Sequence, residues 1–348
     1  MIDVYHYREV LLYLTEEEVL RRNAFLIIIE MVELSNQTRE DTSELVDEIL
    51  HSIFFLGAIN RPKVSPRSLL DDNREIYDHL IDRFPQPFKL YSSQLPRRSP
   101  FSCVLDMIVQ VVGQENEDEI KGRLRTLSHQ LMQNAQLQIL VSSTICISSI
   151  NIPGSKRYYG VSMSTKGRPA GQIIVAASCF SYWDDYVADA VMTYCPNKKT
   201  KKSYFDRTIQ LPAEVTCQAY NISSGREMDP CRSCGNLFGL QTRAEKYWAY
   251  GNCAEVESVS NLLKNENRIR ENVQPRPEEN RQGANDDILM HQNRIRENVQ
   301  PRPEENRQRA KDEILKHLRN LLKNEVRFNW DGVFYSPESV RDEEDETG

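Results

Sequence analysis

Three cysteines and one glutamate have the types and spacing that chemistry needs. Cys231 and Cys234 stand three apart in Asp229-Pro-Cys-Arg-Ser-Cys, and Cys253 and Glu255 follow in Asn252-Cys-Ala-Glu. Pro230 suits the first turn of a helix and Asp229 can cap it, so the spacing predicts both thiols on one face of a helix N-terminus. There the helix dipole favours thiolate, the form that binds a metal. Asn252 is placed to cap a second helix with apolar positions Val256, Val259, Leu262 and Leu263, which puts Cys253 at its start. Three thiolates select zinc, and a fourth position left to water is the catalytic arrangement. Zinc brings the pKa of a bound water towards neutrality, and a carboxylate beside it that is not a ligand, here Glu255, can take and return protons. Cys217 offers a different outcome: as a fourth thiol it closes a structural four-cysteine zinc site with no catalysis. Two further readings of these thiols are a redox Cys-x-x-Cys, which finds no thioredoxin-like context here, and ordinary burial in a core.

Cys-Ala-Glu together with Pro-Cys-x-x-Cys resembles the paired signatures of the zinc-dependent cytidine deaminase superfamily. The similarity is greatest to members that use cysteine in place of histidine, including deaminases of the bacterial toxin type. The resemblance implies Cys231, Cys234 and Cys253 as zinc ligands, Glu255 as the proton shuttle and the Ala254 backbone as a pocket wall. It also implies hydrolytic deamination of a cytosine- or adenine-type base in a nucleoside or nucleic acid. The match spans roughly residues 229–263. In the family the Cys/His-x-Glu helix comes first, whereas here the order is reversed, so two neighbouring helices would have to be joined by a permuted connection. The chain also bears a faint similarity to virus-induced proteins of bony fish. That brings innate immunity into view, and with it a non-enzymatic antiviral or regulatory adaptor carrying the structural four-cysteine zinc.

Composition narrows the classes. With 348 residues, 39% apolar and 27% charged, the chain can bury at least one large core. A net charge of −7 argues against a constitutive, sequence-blind grip on nucleic acid, though it leaves room for a local basic groove. No apolar run is long enough to span a bilayer, which predicts no membrane partner. Met1 is followed by Ile-Asp-Val-Tyr-His-Tyr-Arg-Glu rather than an export signal, so the expected location is the cytoplasm, with the nucleus as the other option, and the eight cysteines are expected to be reduced.

These residues need elements to hold them. The expected fold class is α+β or α/β, a helical N-terminal half followed by a deaminase-like layered zinc domain with a repeat insertion. Residues 1–150 read as helical, with Leu45, Ile49, Ile53 and Leu56 recurring behind an Asp41 cap, and with one helix predicted over Leu69, Ile76, Leu80 and Ile81. Pro-rich breaks separate helices at 85–100, and this half suits a protein partner. From Tyr158 the pattern predicts a hairpin of Tyr-Tyr-Gly-Val-Ser-Met-Ser and Gln172-Ile-Ile-Val-Ala-Ala-Ser-Cys, then an amphipathic helix near 182–194 and one or two short strands in 208–220. The zinc domain is expected over 155–266 plus 319–340. A 26-residue unit repeats in tandem over 267–318, read as a solvated, partly helical insert, which makes His291 and His317 poor catalytic candidates. The acidic tail 341–348 reads as disordered. Lys198, Lys199, Lys201 and Lys202 could meet phosphates, and Trp183, Tyr186, Tyr247 and Trp248 could stack bases; both suit a nucleotide or nucleic-acid substrate.

Overall fold

Leu, Ile and Phe at helical spacing build the first part of the chain. The computed structural model describes residues 14–70, 73–133, 137–165, 167–194, 201–276 and 303–339. The chain divides into two compact units. One holds residues up to Ser143, Ser164–Gly171 and the chain from Val326; the other holds Thr144–Met163 and Gln172–Glu325. Among the described residues no helix is long and apolar enough to cross a membrane.

The first unit is helical. Helix α1 (Glu16–Ser35) opens on a capping box in which the Glu18 amide donates to Thr15 Oγ1 and the Thr15 amide donates to Glu18 Oε2. Helix α2 (Ser43–Ile59) is the central rod, with Ile49, Leu50, Ile53, Phe54 and Phe55 fully buried. Its N-cap is Thr42 rather than Asp41, whose carboxylate instead accepts from the Ser43 amide. The single helix expected over 68–84 is two, α3 (Pro66–Leu69) and α4 (Arg74–Arg83). Asn73 starts the second by accepting from the Ile76 amide, a local bond that competes with continuing the first. The Pro-rich stretch holds a short helix α5 (Pro85–Leu90), because a proline at N1 starts a helix as readily as it stops one. Helices α6 (Pro100–Val112) and α7 (Glu117–Met132) follow.

Polar groups are sealed into this helical core. Arg98, 4% exposed, donates from Nε and Nη2 to the buried Glu48 carboxylate and pairs also with Asp106. The segment after Val326, expected in the second domain, lies in this unit. Tyr335 stacks on His51 with ring centroids 3.6 Å apart, and its hydroxyl donates to Asp47.

The second unit is built on a four-stranded antiparallel sheet in the order β2-β1-β4-β5, with β1 Thr144–Ile150, β2 Arg157–Val161, β4 Val215–Asn221 and β5 Glu227–Met228. A two-stranded pair, β3 (Ile209–Gln210) with β6 (Gln274–Pro275), stands apart from it. The architecture is therefore mixed helix and antiparallel sheet, α+β. The hairpin is β1–β2, turning through Asn151–Ser155, and the expected partner of β2 is not a strand. Gln172–Cys179 lies in helix α8 (Arg168–Ser181), opened by Pro169. A short apolar run fits a buried helix as well as a buried strand, and here the helix wins. Helix α9 (Asp185–Met192) forms as expected, capped by Asp184 accepting from the Tyr186 amide. Then come helices α10 (Arg232–Phe238), α11 (Ala254–Asn265), α12 (Asn267–Glu271) and α13 (Pro303–Asn320). Most of the first repeat copy, with His291, and the acidic tail lie outside the described residues, as do Cys195 and the lysines at 198 and 199.

Candidate metal centre

The face of the sheet that meets α11 is made of small side chains. Strand register aligns Gly160, Cys146, Ala219 and Met228 across the sheet, with Ser148 and Cys217 in the next row on the same face. Helix α11 packs across β2, β1 and β4 on this face. At Gly160 the backbones come so close that an added Cβ would stand 2.3 Å from the Ser258 amide nitrogen and 2.6 Å from the Ala254 carbonyl oxygen. Ser148 and Ser258 share a buried hydroxyl bond of 2.8 Å. The edge strand β2 is closed by side chains of the helix: Val161 N donates to Glu257, and Asn261 Nδ2 donates to the Tyr159 carbonyl. These bonds satisfy an edge that would otherwise be open to pairing, and they fix α11 in height and register.

Cys253 is the N-cap of α11 and Cys231 is the N-cap of α10, each with extended backbone. The expected caps, Asp229 and Asn252, therefore stand outside both helices. Each helix begins later than predicted, and the thiols themselves occupy the turn-entry positions. The N-termini of α10 and α11 converge, so that Cys231 Sγ lies 3.6 Å from Cys234 Sγ and 3.3 Å from Cys253 Sγ. All three sulfurs fall within 4.8 Å of one another. Sulfurs around a tetrahedral ion with bonds near 2.3 Å stand roughly 3.8 Å apart, so this spacing fits a metal with little rearrangement. The group can hold a metal ion, and among the described residues it is the one cluster of this kind.

The loop between the ligand pairs is pinned to α10. Arg232 N donates to the Lys246 carbonyl, Ser233 bridges both backbone groups of Trp248, and the Thr242 hydroxyl donates to the Pro230 carbonyl. Tyr250 stacks on Tyr194 with centroids 3.8 Å apart. Gly251, at φ +90°, lets the chain turn into Cys253, and a Cβ there would strike Val175.

Electrostatics set these groups apart. The Cys234 and Cys253 thiol groups 3.6 Å and 3.3 Å from its sulfur hold Cys231 far below the usual thiol range. The neighbouring Cys231 and Cys253 thiol groups, together with burial, raise Cys234. Glu255 is 4% exposed. Burial pushes its carboxyl up to about 7, and the Cys231 charge pushes the same way against hydrogen bonds from the Cys234 thiol and the Cys231 amide. A carboxyl that meets both ligand-bearing residues of α10 is thus held at the cluster's side.

Cys217 is not in the group. Its sulfur lies 3.3 Å from Cys146 Sγ, and the two pack with Ala219, Ala254 and Met228. The candidate metal site thus offers three thiols. Lys201 pairs with Asp206, and Lys202 Nζ donates to the Met192 carbonyl, so the described lysines of the basic loop serve local structure. Trp183 contacts Gly251 from within the unit, whereas Trp248 is 49% exposed. Sequence reasoning missed Gly160, Glu257 and the Ser148–Ser258 pair; a lone glycine inside a strand pattern is the available signal for a close backbone approach.

No protein-family model matches the chain, and neither the curated proteins nor the solved structures with which it was compared show a match.

Proposed function

We propose that the second unit is a zinc-dependent hydrolytic deaminase acting on a cytosine- or adenine-type base. The observation that supports this is the convergence of Cys231, Cys234 and Cys253 at two helix N-termini with the buried Glu255 carboxylate against them. Three soft sulfur donors suit zinc over harder cations. With Cys217 turned to Cys146, the group supplies three ligands rather than four, which is the donor count of an open site. A zinc ion held by these thiols would supply Lewis-acid activation of water.

The residues of the chain divide the rest of the work. Glu255, with its carboxyl raised towards neutrality, is suited to accept a proton from the attacking water and return it to the departing nitrogen. The reaction balances as an exocyclic amine plus water giving a carbonyl plus ammonia. The reversed order of the two signatures is compatible with this chemistry, because the ligands sit at helix ends whose meeting does not depend on which helix comes first.

The test is metal analysis of the purified chain together with ammonia release from cytosine and adenine nucleosides, nucleotides and single strands. One zinc per chain and ammonia from at least one substrate are expected. Glu255→Gln should keep the metal and lose the ammonia; a Glu255→Gln chain with undiminished turnover would end the deaminase reading.

A further inference from the structure

Between α10, the loop pinned to it and the end of β6, a cleft of about 470 Å³ opens in the second unit. Its wall carries three arginines from three separate segments: Arg232 on α10, Arg243 in the loop and Arg276 just after β6. Among the described residues Glu245 is the one carboxylate in the lining, and Asn236, Gln241 and Thr242 add amide and hydroxyl groups. Three guanidinium groups against one carboxylate make a positive pocket in a chain whose net charge is −7. Like charges facing one cleft repel one another, and a bound anion would offset that repulsion.

Two of the guanidinium groups have fixed contacts. Arg232 lies over the ring of Tyr247 at 5.3 Å, and Arg276 Nη1 donates to the Asn236 carbonyl at 2.7 Å. Stacking uses the face of a guanidinium and leaves its N–H edge in the ring plane to meet an acceptor. The loop that carries Arg243 is fixed to α10 by the Arg232–Lys246, Ser233–Trp248 and Thr242–Pro230 bonds. The same loop carries Trp248 three residues beyond Glu245, 49% exposed with Lys246 4.0 Å above its ring.

We infer that this cleft binds the phosphate of a nucleotide. Guanidinium groups match phosphate oxygens through paired N–H donors, the volume is that of a small-molecule site, and the exposed indole of Trp248 on the same loop offers a base a stacking partner. The inference stands on the cleft and holds whether or not the cysteine centre is catalytic.

The experiment is calorimetric titration of the full chain with inorganic phosphate, a nucleoside monophosphate, the matching nucleoside and a short single-stranded oligonucleotide. The monophosphate is expected to bind saturably and at least about tenfold more tightly than the nucleoside, with an affinity that falls as salt rises. Arg243 is exposed, so Arg243→Glu should leave thermal unfolding unchanged while weakening the monophosphate at least about tenfold. Arg276→Gln should weaken it as well. Oligonucleotide binding that is tighter than the monophosphate and equally sensitive to Arg243→Glu assigns the same phosphate chemistry to a strand. Wild-type protein that binds neither phosphate nor monophosphate, or an Arg243→Glu chain with wild-type affinity, overturns the inference. Glu255 does not line the cleft, so Glu255→Gln should bind the monophosphate normally even where ammonia release is lost, which separates this test from that of the deaminase reading.

Discussion

Gly160→Ala is the sharpest test of how the metal centre is positioned. A Cβ on residue 160 would stand 2.3 Å from Ser258 N, 2.6 Å from Ala254 O and 2.8 Å from Glu257 Cβ. Two of these atoms belong to the backbone of α11 and cannot rotate aside. To reach an ordinary contact the helix must withdraw by about 1 Å, a gap that forfeits up to half of the dispersion energy along the packed face. Overpacking of this kind costs about 1–3 kcal/mol. Withdrawal also stretches the 2.8 Å bond from Val161 N to Glu257 and the buried 2.8 Å Ser148–Ser258 bond. A bond to a charged acceptor and a neutral one add about 2–4 kcal/mol together.

The expected loss is thus about 3–7 kcal/mol, a large part of a domain's usual stability. Because Cys253 is the N-cap of the displaced helix, metal content should fall with it. Urea unfolding of the full chain by circular dichroism, with metal measured on the same samples, reads both effects. Gly122→Ala in α7 is the control: a Cβ there meets nothing within 4 Å, and the change should be neutral or stabilising by up to about 1 kcal/mol. If Gly160→Ala stayed within about 1 kcal/mol of wild type and kept its metal, the close approach would not be what holds the site.

Other outcomes follow from the same structure. Cys217→Ser should retain bound metal, whereas serine at 231, 234 or 253 should lose it; equal loss at Cys217 in metal analysis would place it back among the ligands. Arg98→Ala strands the buried Glu48 carboxylate and should destabilise the helical unit by about 3–5 kcal/mol in denaturant titration, so a loss below about 1 kcal/mol would show Arg97 to be a sufficient partner. Burial raises Asp47 to about 7, so its contribution is fully present below its unfolded pKa and lost as pH rises through 7; burial lowers His51 to about 3, so its contribution is present above 6.5 and lost as pH falls. The two offset between about pH 4 and 7, and Asp47→Asn should expose a decline of about 1.4 kcal/mol per pH unit below 6.5; an Asp47→Asn chain with pH-independent stability across that range would refute the exchange.

The sequence shows the ligands more clearly than their supports. Three cysteines at helix starts are visible from spacing alone, since Cys-x-x-Cys beside proline leaves few local conformations. Helices α2, α6 and α7 are legible for the same reason, because long apolar periods have one solution. Gln172–Cys179 misleads because a run of Ile, Val and Ala is apolar on every side and carries no period to choose between strand and helix. Cys217 misleads in another way: its place in β4 follows from the strand pattern, but which of two thiol neighbours it meets depends on the register against β1. Pairing Ser148 with Cys217 and Cys146 with Ala219 turns its sulfur to Cys146, and no local signal reports that register.

The two halves of the candidate centre are anchored separately. Cys253 and Glu255 take their position from the sheet, through Gly160, Glu257 and the Ser148–Ser258 bond. Cys231 and Cys234 take theirs from the loop bound to α10 through Ser233, Thr242 and Arg232. Neither anchor runs through the order in which α10 and α11 are joined. What the centre requires is that two helix N-termini point at one place, where their dipoles add to favour thiolate and to repel a further cation until the protons leave. A chain that keeps Cys231, Cys234, Cys253 and Glu255 but carries a side chain at residue 160 is therefore expected to keep the thiols without the spacing that suits a metal.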